Sequence, residues 1–240
     1  MKILKFLGAL LLSLILIIVL GLGYLGFIPG LSKIFGSDKP RDLGVAYTES
    51  DYQAMSGKVG LEIRELPAST PLEKSIVEEG SHEVSETFSP AEMTAAINKN
   101  TWRYFPFVNV QIRVNADNSI EASGLVVVDR LLKYAQALGA TAEEVQMGID
   151  AAKLPNTTFP FYVKGKGEVV DNQVSGNFLS AEVGRLPVPA GILSDIQGRI
   201  VGAVEAKLVN NPSISIKEAR LENGSAKFVG TLPNVEYVVK

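Results

Sequence analysis

The chain has 240 residues, a formal net charge of −3, one histidine and no cysteine. This composition excludes disulfides, cysteine zinc sites, thiol nucleophiles and histidine-rich metal sites. After the first 40 residues there remain 19 basic and 25 acidic side chains, so the body of the chain carries a charge near −6. That balance argues against nucleic acid as a partner.

Residues 6–32 form a run of 27 residues without a charged side chain, rich in Leu, Ile, Val and Gly. About 20 such residues, at about 1.5 Å each, cross the hydrocarbon core of a bilayer as a helix. The run predicts a transmembrane anchor over residues 1–32, with its helix ended by Pro29-Gly30. A cleaved secretory leader is the alternative, with a faint cleavage-site match at residues 21–23.

The basic residues before this run, Lys2 and Lys5, predict a cytoplasmic amino terminus by the positive-inside rule. A short head followed by about 200 residues is the usual plan of an anchor whose domain lies outside the cytosol. We therefore expect a single-pass protein of the cell membrane. Its linker is predicted at residues 33–55 and its single extracytoplasmic domain at 56–240.

The domain begins with an alternating segment at residues 58–66, which predicts a strand, and a polar loop leads to a second strand near 83–88. Ser89-Pro90-Ala91-Glu92 then predicts a helix to about Lys99. Serine can cap this helix, proline suits its first position, and Glu92 can close a capping box.

Three hairpins follow, at residues 107–128, 158–183 and 213–232. The second turns at Asp171-Asn172 and the third at Asn223-Gly224, dipeptides that accept the positive φ of tight turns. In the first hairpin, strict alternation places Val108, Val110, Ile112 and Val114 on one face.

Helices are predicted between the hairpins, at residues 130–138, at 141–152 and, as the longest, at 189–209. The longest helix carries Ile192, Ile196 and Ile200 in register on one face. The order of elements predicts an α+β fold, with a curved antiparallel sheet of hairpins packed on helices. Glycines within the strands are expected to permit the curvature.

The search for catalytic groups finds none that stand out. His82 lies in a polar stretch and is interpreted as a solvated loop residue. Gly165 and Gly167 have neither P-loop nor dinucleotide spacing. Most acids lie at helix starts or turns, although a distant pair of glycosidase carboxylates stays open. We therefore expect a protein that is not an enzyme and has no cofactor or metal.

Aromatic residues cluster at 101–107 and again around Pro160. They are interpreted either as the edge of the core or as the mouth of an apolar groove that the longest helix helps to line. A lip that dips into the membrane interface is a variant of the second interpretation. The candidate groove residues are Trp102, Tyr104, Phe105, Val108, Val110, Ile112, Phe161, Ile192, Ile196 and Ile200.

Several short segments between residues 83 and 233 match, loosely and in shape alone, a group of known proteins. They are Phe88–Met93, Val110–Val114 turning into Glu121–Gly124, Val183–Pro189 opening the longest helix, and Leu221–Gly224 leading to Phe228–Pro233. Together they resemble membrane-anchored envelope proteins of the YpmS kind and, more distantly, tubular lipid-binding (TULIP-like) proteins. The resemblance implies a curved sheet wrapped on helices, with a lipid chain or apolar moiety in a groove, and no catalytic residues.

Two functions are therefore expected. The first is an anchored protein that binds or handles a lipid or another apolar ligand. The alternative is an anchored envelope scaffold with a filled core, whose aromatic clusters contact another envelope protein. An apolar cavity of about 300 Å³ or more, between the longest helix and the strand faces of Val108 and Ile112, would favour the first.

Overall fold

The computed structural model describes residues 16–25, 29–137, 143 and 158–240. The fold is α+β, with a strongly curled antiparallel sheet and helices, as predicted. Residues 16–24 are helical. The helices that follow are α1 (Pro29–Phe35), α2 (Glu49–Val59), α3 (Pro90–Asn98), α4 (Val128–Ala137) and α5 (Ala190–Asn210), with a 3-10 turn at Leu72–Lys74.

The strands belong to two sheets. The large sheet contains β3 (His82–Phe88), β4 (Phe107–Val114), β5 (Ile120–Val126), β6 (Phe159–Val170), β7 (Gln173–Val183), β8 (Leu186–Pro187), β9 (Ser215–Glu222) and β10 (Ser225–Leu232). The small sheet contains β1 (Glu62–Leu66), β2 (Ile76–Glu79) and β11 (Val235–Val239).

Strand β6 organises the large sheet, whose order is β3-β10-β9-β6-β5-β4. One edge of β6 pairs with β7 along ten residues. Its other edge pairs with β5 over residues 159–165 and with β9 over residues 168–170. Because two strands share one edge of β6, the sheet curls into a half-barrel with an inner, concave face and an outer, convex face.

Glycine is required where β6 and β7 approach each other at the middle of the curl. A Cβ on Gly176, which has φ +153°, would lie 2.3 Å from the carbonyl oxygen of Lys166 and 2.6 Å from the Cα of Gly167. The register shifts between Lys164 and Gly165. A β-bulge of this kind bends the strand, so the strand glycines lie where curvature was expected.

The three hairpins are confirmed, and their turns have the expected backbone. Asp171 and Asn172 have φ of 49° and 65°, and Asn223 and Gly224 have φ of 50° and 75°. The face predicted for the first hairpin is wrong at Val108. Asn109 has φ 52° within a register shift, so Val108 faces outward while Val110 and Ile112 face inward.

The small sheet was only partly predicted. Its central strand, β11, runs parallel to β1 and antiparallel to β2, so its partners are far away in the chain. β1 starts at Glu62 rather than at Lys58, because α2 continues to Val59 and Gly60 ends it in a left-handed conformation. β2 lies within the acidic stretch that was interpreted as a loop.

The segment predicted as linker, residues 33–55, contains regular structure. The side chains and backbones of Thr48 and Asp51 form a capping box that starts α2. Pro29 begins α1 instead of ending the preceding helix, because proline suits a first helical turn. Between α1 and α2 the chain crosses the convex face. There the Leu43 N–H donates to Gln111 Oε1 at 2.6 Å, and the Arg41 guanidinium lies 4.0 Å from the centroid of the Tyr162 ring.

The helix predicted at Ser89 is confirmed, with a complete capping box between Ser89 and Glu92. The longest helix is also confirmed, and α4 begins two residues earlier than predicted. The helix predicted at residues 141–152 lies outside the described residues. Among the residues that the structure describes, we find no helix whose length and hydropathy together suffice for a membrane crossing.

Candidate functional site

The concave face of the large sheet encloses an apolar groove with a volume of about 560 Å³. We call this cavity, which lies between the sheet and α5, the groove. Drug-sized and cofactor-sized ligands occupy pockets of about 300–1,000 Å³. The groove is therefore larger than the volume that separates the two expected functions.

The sheet side of the groove combines small or branched side chains with two aromatic ones, Phe178 of β7 and Phe228 of β10. Ala122 from β5, Val163 from β6 and Ala219 from β9 line it, together with the strand glycines. Gly165, Gly167 and Gly176 contribute no side chain at all. The hollow exists because these residues leave the inner volume of the curl unfilled.

The opposite wall is α5, which is attached to the edge strand β7 by two polar side chains. Gln197 Oε1 accepts from the Phe178 N–H at 2.9 Å, and its Nε2 donates to the Gly176 carbonyl oxygen at 3.0 Å. Glu205 Oε1 accepts from the Val174 N–H at 3.0 Å. These bonds satisfy exposed backbone groups of the edge strand, so α5 covers the edge without placing an unpaired polar group in the groove.

The apolar stripe of α5 extends beyond the groove. Ile200 lines the groove and is 45 % exposed. Ile196 and Ile192, one and two turns earlier, are also exposed, at 38 % and 46 %. The predicted stripe is therefore real, but much of it faces solvent and continues the groove wall toward the start of α5.

Helices α2 and α3 contribute the end of the groove that lies next to β3. Met55 of α2 and Met93 of α3 line it together with Phe88. Methionine side chains are unbranched and polarisable, so they adapt to ligands of different shape. This end is consequently the part of the wall best able to adjust to a ligand.

The aromatic residues predicted at the groove mouth lie elsewhere, in a packed cluster at the start of β6. Trp102 is 5 % exposed, and its Nε1–H donates to Ser75 Oγ at 3.2 Å. The Tyr134 ring lies within 5.4–6.4 Å of the rings of Trp102, Phe105 and Phe107. Tilted and edge-to-face packing of aromatic rings, as here, fills a core.

The remaining candidates divide between these regions. Tyr104 stacks edge-on against Trp102, and Phe161 packs on Phe107, so both belong to the aromatic cluster. Val110 is buried against Gly124, and Val108 faces outward. Of the ten candidate residues, Ile112 and Ile200 line the groove. The signal that would have located the rest of the site is the set of strand glycines.

Several charged side chains close to the groove form ion pairs on the convex face. Glu218 binds both Arg220 and Lys227, the latter at 2.8 Å. On β5, burial alone would raise the pKa of Glu121, but hydrogen bonds from Asn115 and Arg113 hold that pKa below its usual value. Ionic interactions thus stabilise the outside of the curl, while the inside is apolar.

His82 is not a solvated loop residue, contrary to the sequence-based interpretation. It begins β3, its Nδ1 lies 2.9 Å from Asn234 Oδ1, and its Nε2 lies 2.9 Å from the Val59 carbonyl oxygen. The ring therefore joins α2, β3 and the start of β11. Within the described ranges, no three His, Asp or Glu side chains are grouped as a metal site.

Comparison with known proteins yields no relative: no protein-family model, no curated protein and no solved structure matches this chain significantly.

Proposed function

We propose that this chain is a single-pass membrane protein whose extracytoplasmic domain binds a lipid, or another apolar ligand, without catalysing a reaction on it. The observation that carries the proposal is the apolar groove of about 560 Å³. A hydrocarbon chain gains about 0.8 kcal/mol for each methylene that it buries. An open groove whose accessible lining is almost entirely apolar favours such a ligand.

The membrane part of the proposal rests on the uncharged run at residues 6–32 and on the basic residues before it. The helix at residues 16–24 has exposed apolar side chains, among them Leu16, Ile17 and Ile18 at 52–66 %. Such side chains suit a hydrocarbon surrounding. The resemblance to YpmS-type proteins leads to the same expectation for anchor and ligand.

The alternative, an anchored scaffold with a filled core that binds an envelope protein, has less support. Its aromatic clusters were expected on the surface, yet Trp102 is buried and Phe105 and Phe107 pack on Tyr134. The groove is also hollow where that alternative expects a filled interior.

Photo-crosslinking of the full-length chain in membranes tests the proposal. A phospholipid with a diazirine on its acyl chain is activated, and the modified peptides are identified by mass spectrometry. We expect adducts in residues 163–178 and 219–228, which line the groove, in addition to the anchor.

A blocked variant and a matched control make this test specific. Ala219→Trp places a large side chain inside the groove, whereas Ser180→Trp adds the same side chain to the convex face of the neighbouring hairpin. Groove adducts should fall about tenfold in the first variant, as expected when binding loses about 1.4 kcal/mol or more, and persist in the second. Adducts confined to residues 6–32 would contradict ligand binding.

A further inference from the structure

The helical segment 16–24 is attached to the domain by direct contacts at one corner of the fold. The Gly23 carbonyl oxygen accepts hydrogen bonds from the hydroxyls of Ser32 at 3.2 Å and Ser37 at 3.0 Å. Both serines are buried. A Cβ on Gly23 would lie 2.4 Å from the Cβ of Leu31. Helix α1 therefore packs directly on the last turn of the segment.

Arg185, in the turn between β7 and β8, closes the same corner from the other side. Its guanidinium lies 5.3 Å from the centroid of the Tyr24 ring. Its Nη2 donates to the carbonyl oxygens of Phe35 and Gly36 at 3.3 and 3.4 Å. A Cβ on Gly184 would lie 2.9 Å from the Leu25 carbonyl oxygen. The segment thus meets the domain through a fixed set of contacts and not through a free tether.

Exposed apolar side chains surround this corner. Ile34 of α1 is 76 % exposed, Leu186 next to Arg185 is 41 % exposed, and Ile192 in the first turns of α5 is 46 % exposed. Lys33 lies beside Ile34 on the surface. Apolar side chains with a basic rim are typical of surfaces that lie in a membrane interface.

We propose that this corner seats the domain on the phospholipid bilayer, with Ile34, Leu186 and Ile192 in the headgroup–acyl boundary and Arg185 at the level of the phosphates. The inference rests on the membrane anchor of the proposed function. An anchor that leaves the bilayer at Tyr24 brings every residue in contact with Tyr24 to the interface, where tyrosine and arginine are favoured.

Contact between this corner and the bilayer would also orient the groove relative to the membrane. Helix α5 begins at Ala190, four residues after Leu186, and Ile192, Ile196 and Ile200 follow one another along it toward the groove. Eight residues of helix span about 12 Å. The exposed stripe then becomes an apolar path between the bilayer surface and the groove, which gives a reason for its exposure.

The natural absence of cysteine allows a direct test in the full-length chain. Single-cysteine variants Ile34→Cys and Leu186→Cys are labelled with a small fluorophore and reconstituted into phosphatidylcholine–phosphatidylglycerol vesicles with brominated acyl chains. We expect each label to lose roughly half of its fluorescence or more, because it lies about 5–10 Å into the boundary. Val170→Cys is the matched control, since it is 47 % exposed but lies at the far end of the β6–β7 hairpin.

A second variant tests the role of the corner itself. Arg185→Ala in the Leu186→Cys background should reduce quenching of the label while the protein stays in the membrane fraction after carbonate extraction. Two results would overturn the proposed contact between this corner and the bilayer and leave the membrane anchor intact. The first is equal quenching at positions 34, 186 and 170. The second is no quenching at positions 34 and 186 in protein that resists carbonate extraction. Loss of the protein from the membrane fraction on carbonate extraction would overturn both the membrane anchor and this contact. Groove binding is judged separately by crosslinking.

Discussion

The two ends of the β6–β7 hairpin differ in how they fill the inside of the curl. At the start of β6, Phe159 packs with Val126 and Val128 in the core, and the aromatic cluster around Tyr134 extends it. We call this region the filled end. Six residues further along β6, at Gly165, the glycines begin and the interior becomes the groove, which we call the hollow end. One sheet therefore supports both a packed core and a binding site.

The comparison shows that a cavity in a curled sheet depends on which side chains are missing. At the filled end, Phe107 and Phe161 span the inner space, with ring centroids 5.6 Å apart. At the hollow end, Gly167 faces Gly176 across the same hairpin, and neither reaches into that space. The two ends should therefore respond in opposite ways to added and removed side-chain volume.

The largest effect is expected from Trp102→Ala at the filled end. The substitution leaves a cavity in a packed cluster and removes the donor to Ser75, so it should cost about 3–5 kcal/mol of unfolding free energy. Phe178→Ala at the hollow end only enlarges an existing groove and should cost about 1–2 kcal/mol. Denaturant unfolding of the full-length chain in detergent measures both. Equal costs would remove the distinction between the ends.

Added volume gives the second test. A Cβ on Gly124 would lie 2.8 Å from Val110 Cγ2 and 2.9 Å from Phe161 Cε1. Gly124→Ala should therefore destabilise the chain by about 1–3 kcal/mol through overpacking. Ala122→Val, two residues earlier on the same face, extends into the groove and should be close to neutral. If both substitutions leave the Tm of thermal unfolding equally unchanged, that result would contradict tight packing at the filled end.

The sequence predicted features that depend on neighbouring residues and missed those that depend on distant ones. The hairpin at Asn223-Gly224 and the helix start at Ser89 were found because turn and capping residues act within a few positions. Strand β11 was missed because its partners lie more than 150 residues away. Helix α2 was missed because it has no buried residue and therefore no apolar stripe.

The prediction of the site gave too much weight to large aromatic side chains and too little to the glycines, which have no side chain. Trp102 and Phe105 suggested a groove mouth because aromatic clusters occur both in cores and at binding surfaces. Which of the two applies depends on the distant Ser75 and Tyr134, which the local sequence does not reveal. Gly165 and Gly167 were assigned to curvature, but the volume that curvature leaves open requires the path of the whole sheet.

A third test concerns the attachment of α5 at the hollow end. Gln197→Leu keeps most of the side-chain volume but leaves the Phe178 N–H and the Gly176 carbonyl oxygen without their partner. An unsatisfied backbone group next to a covered edge costs about 1–3 kcal/mol. Gln173→Leu, at the exposed start of β7, is the control and should change little. Faster hydrogen exchange at Phe178 in the first variant alone would show that α5 has loosened from the edge strand; no change would contradict the role of Gln197.

The smallest effect is expected in the small sheet, which contacts both regions. The Arg103 N–H donates to the Val239 carbonyl oxygen near the filled end, while Lys207 of α5 lies 3.5 Å from Glu78. Glu78 stands opposite Glu236 in the sheet. Burial, followed by the charge of Glu78, raises the pKa of Glu236 above its usual value.

A carboxyl with a raised pKa binds its proton more strongly in the folded than in the unfolded chain. Stability therefore falls as pH rises from the usual carboxyl pKa through the raised one, and the loss persists at neutral pH. Glu236→Gln cannot ionise, so it should raise Tm by a few degrees at most at pH 7 and leave it unchanged near pH 4. Glu83→Gln, an exposed substitution, should shift neither value. A lower Tm at pH 7 for Glu236→Gln would mean that the ionised carboxylate, held by Lys207, stabilises the contact between the small sheet and α5.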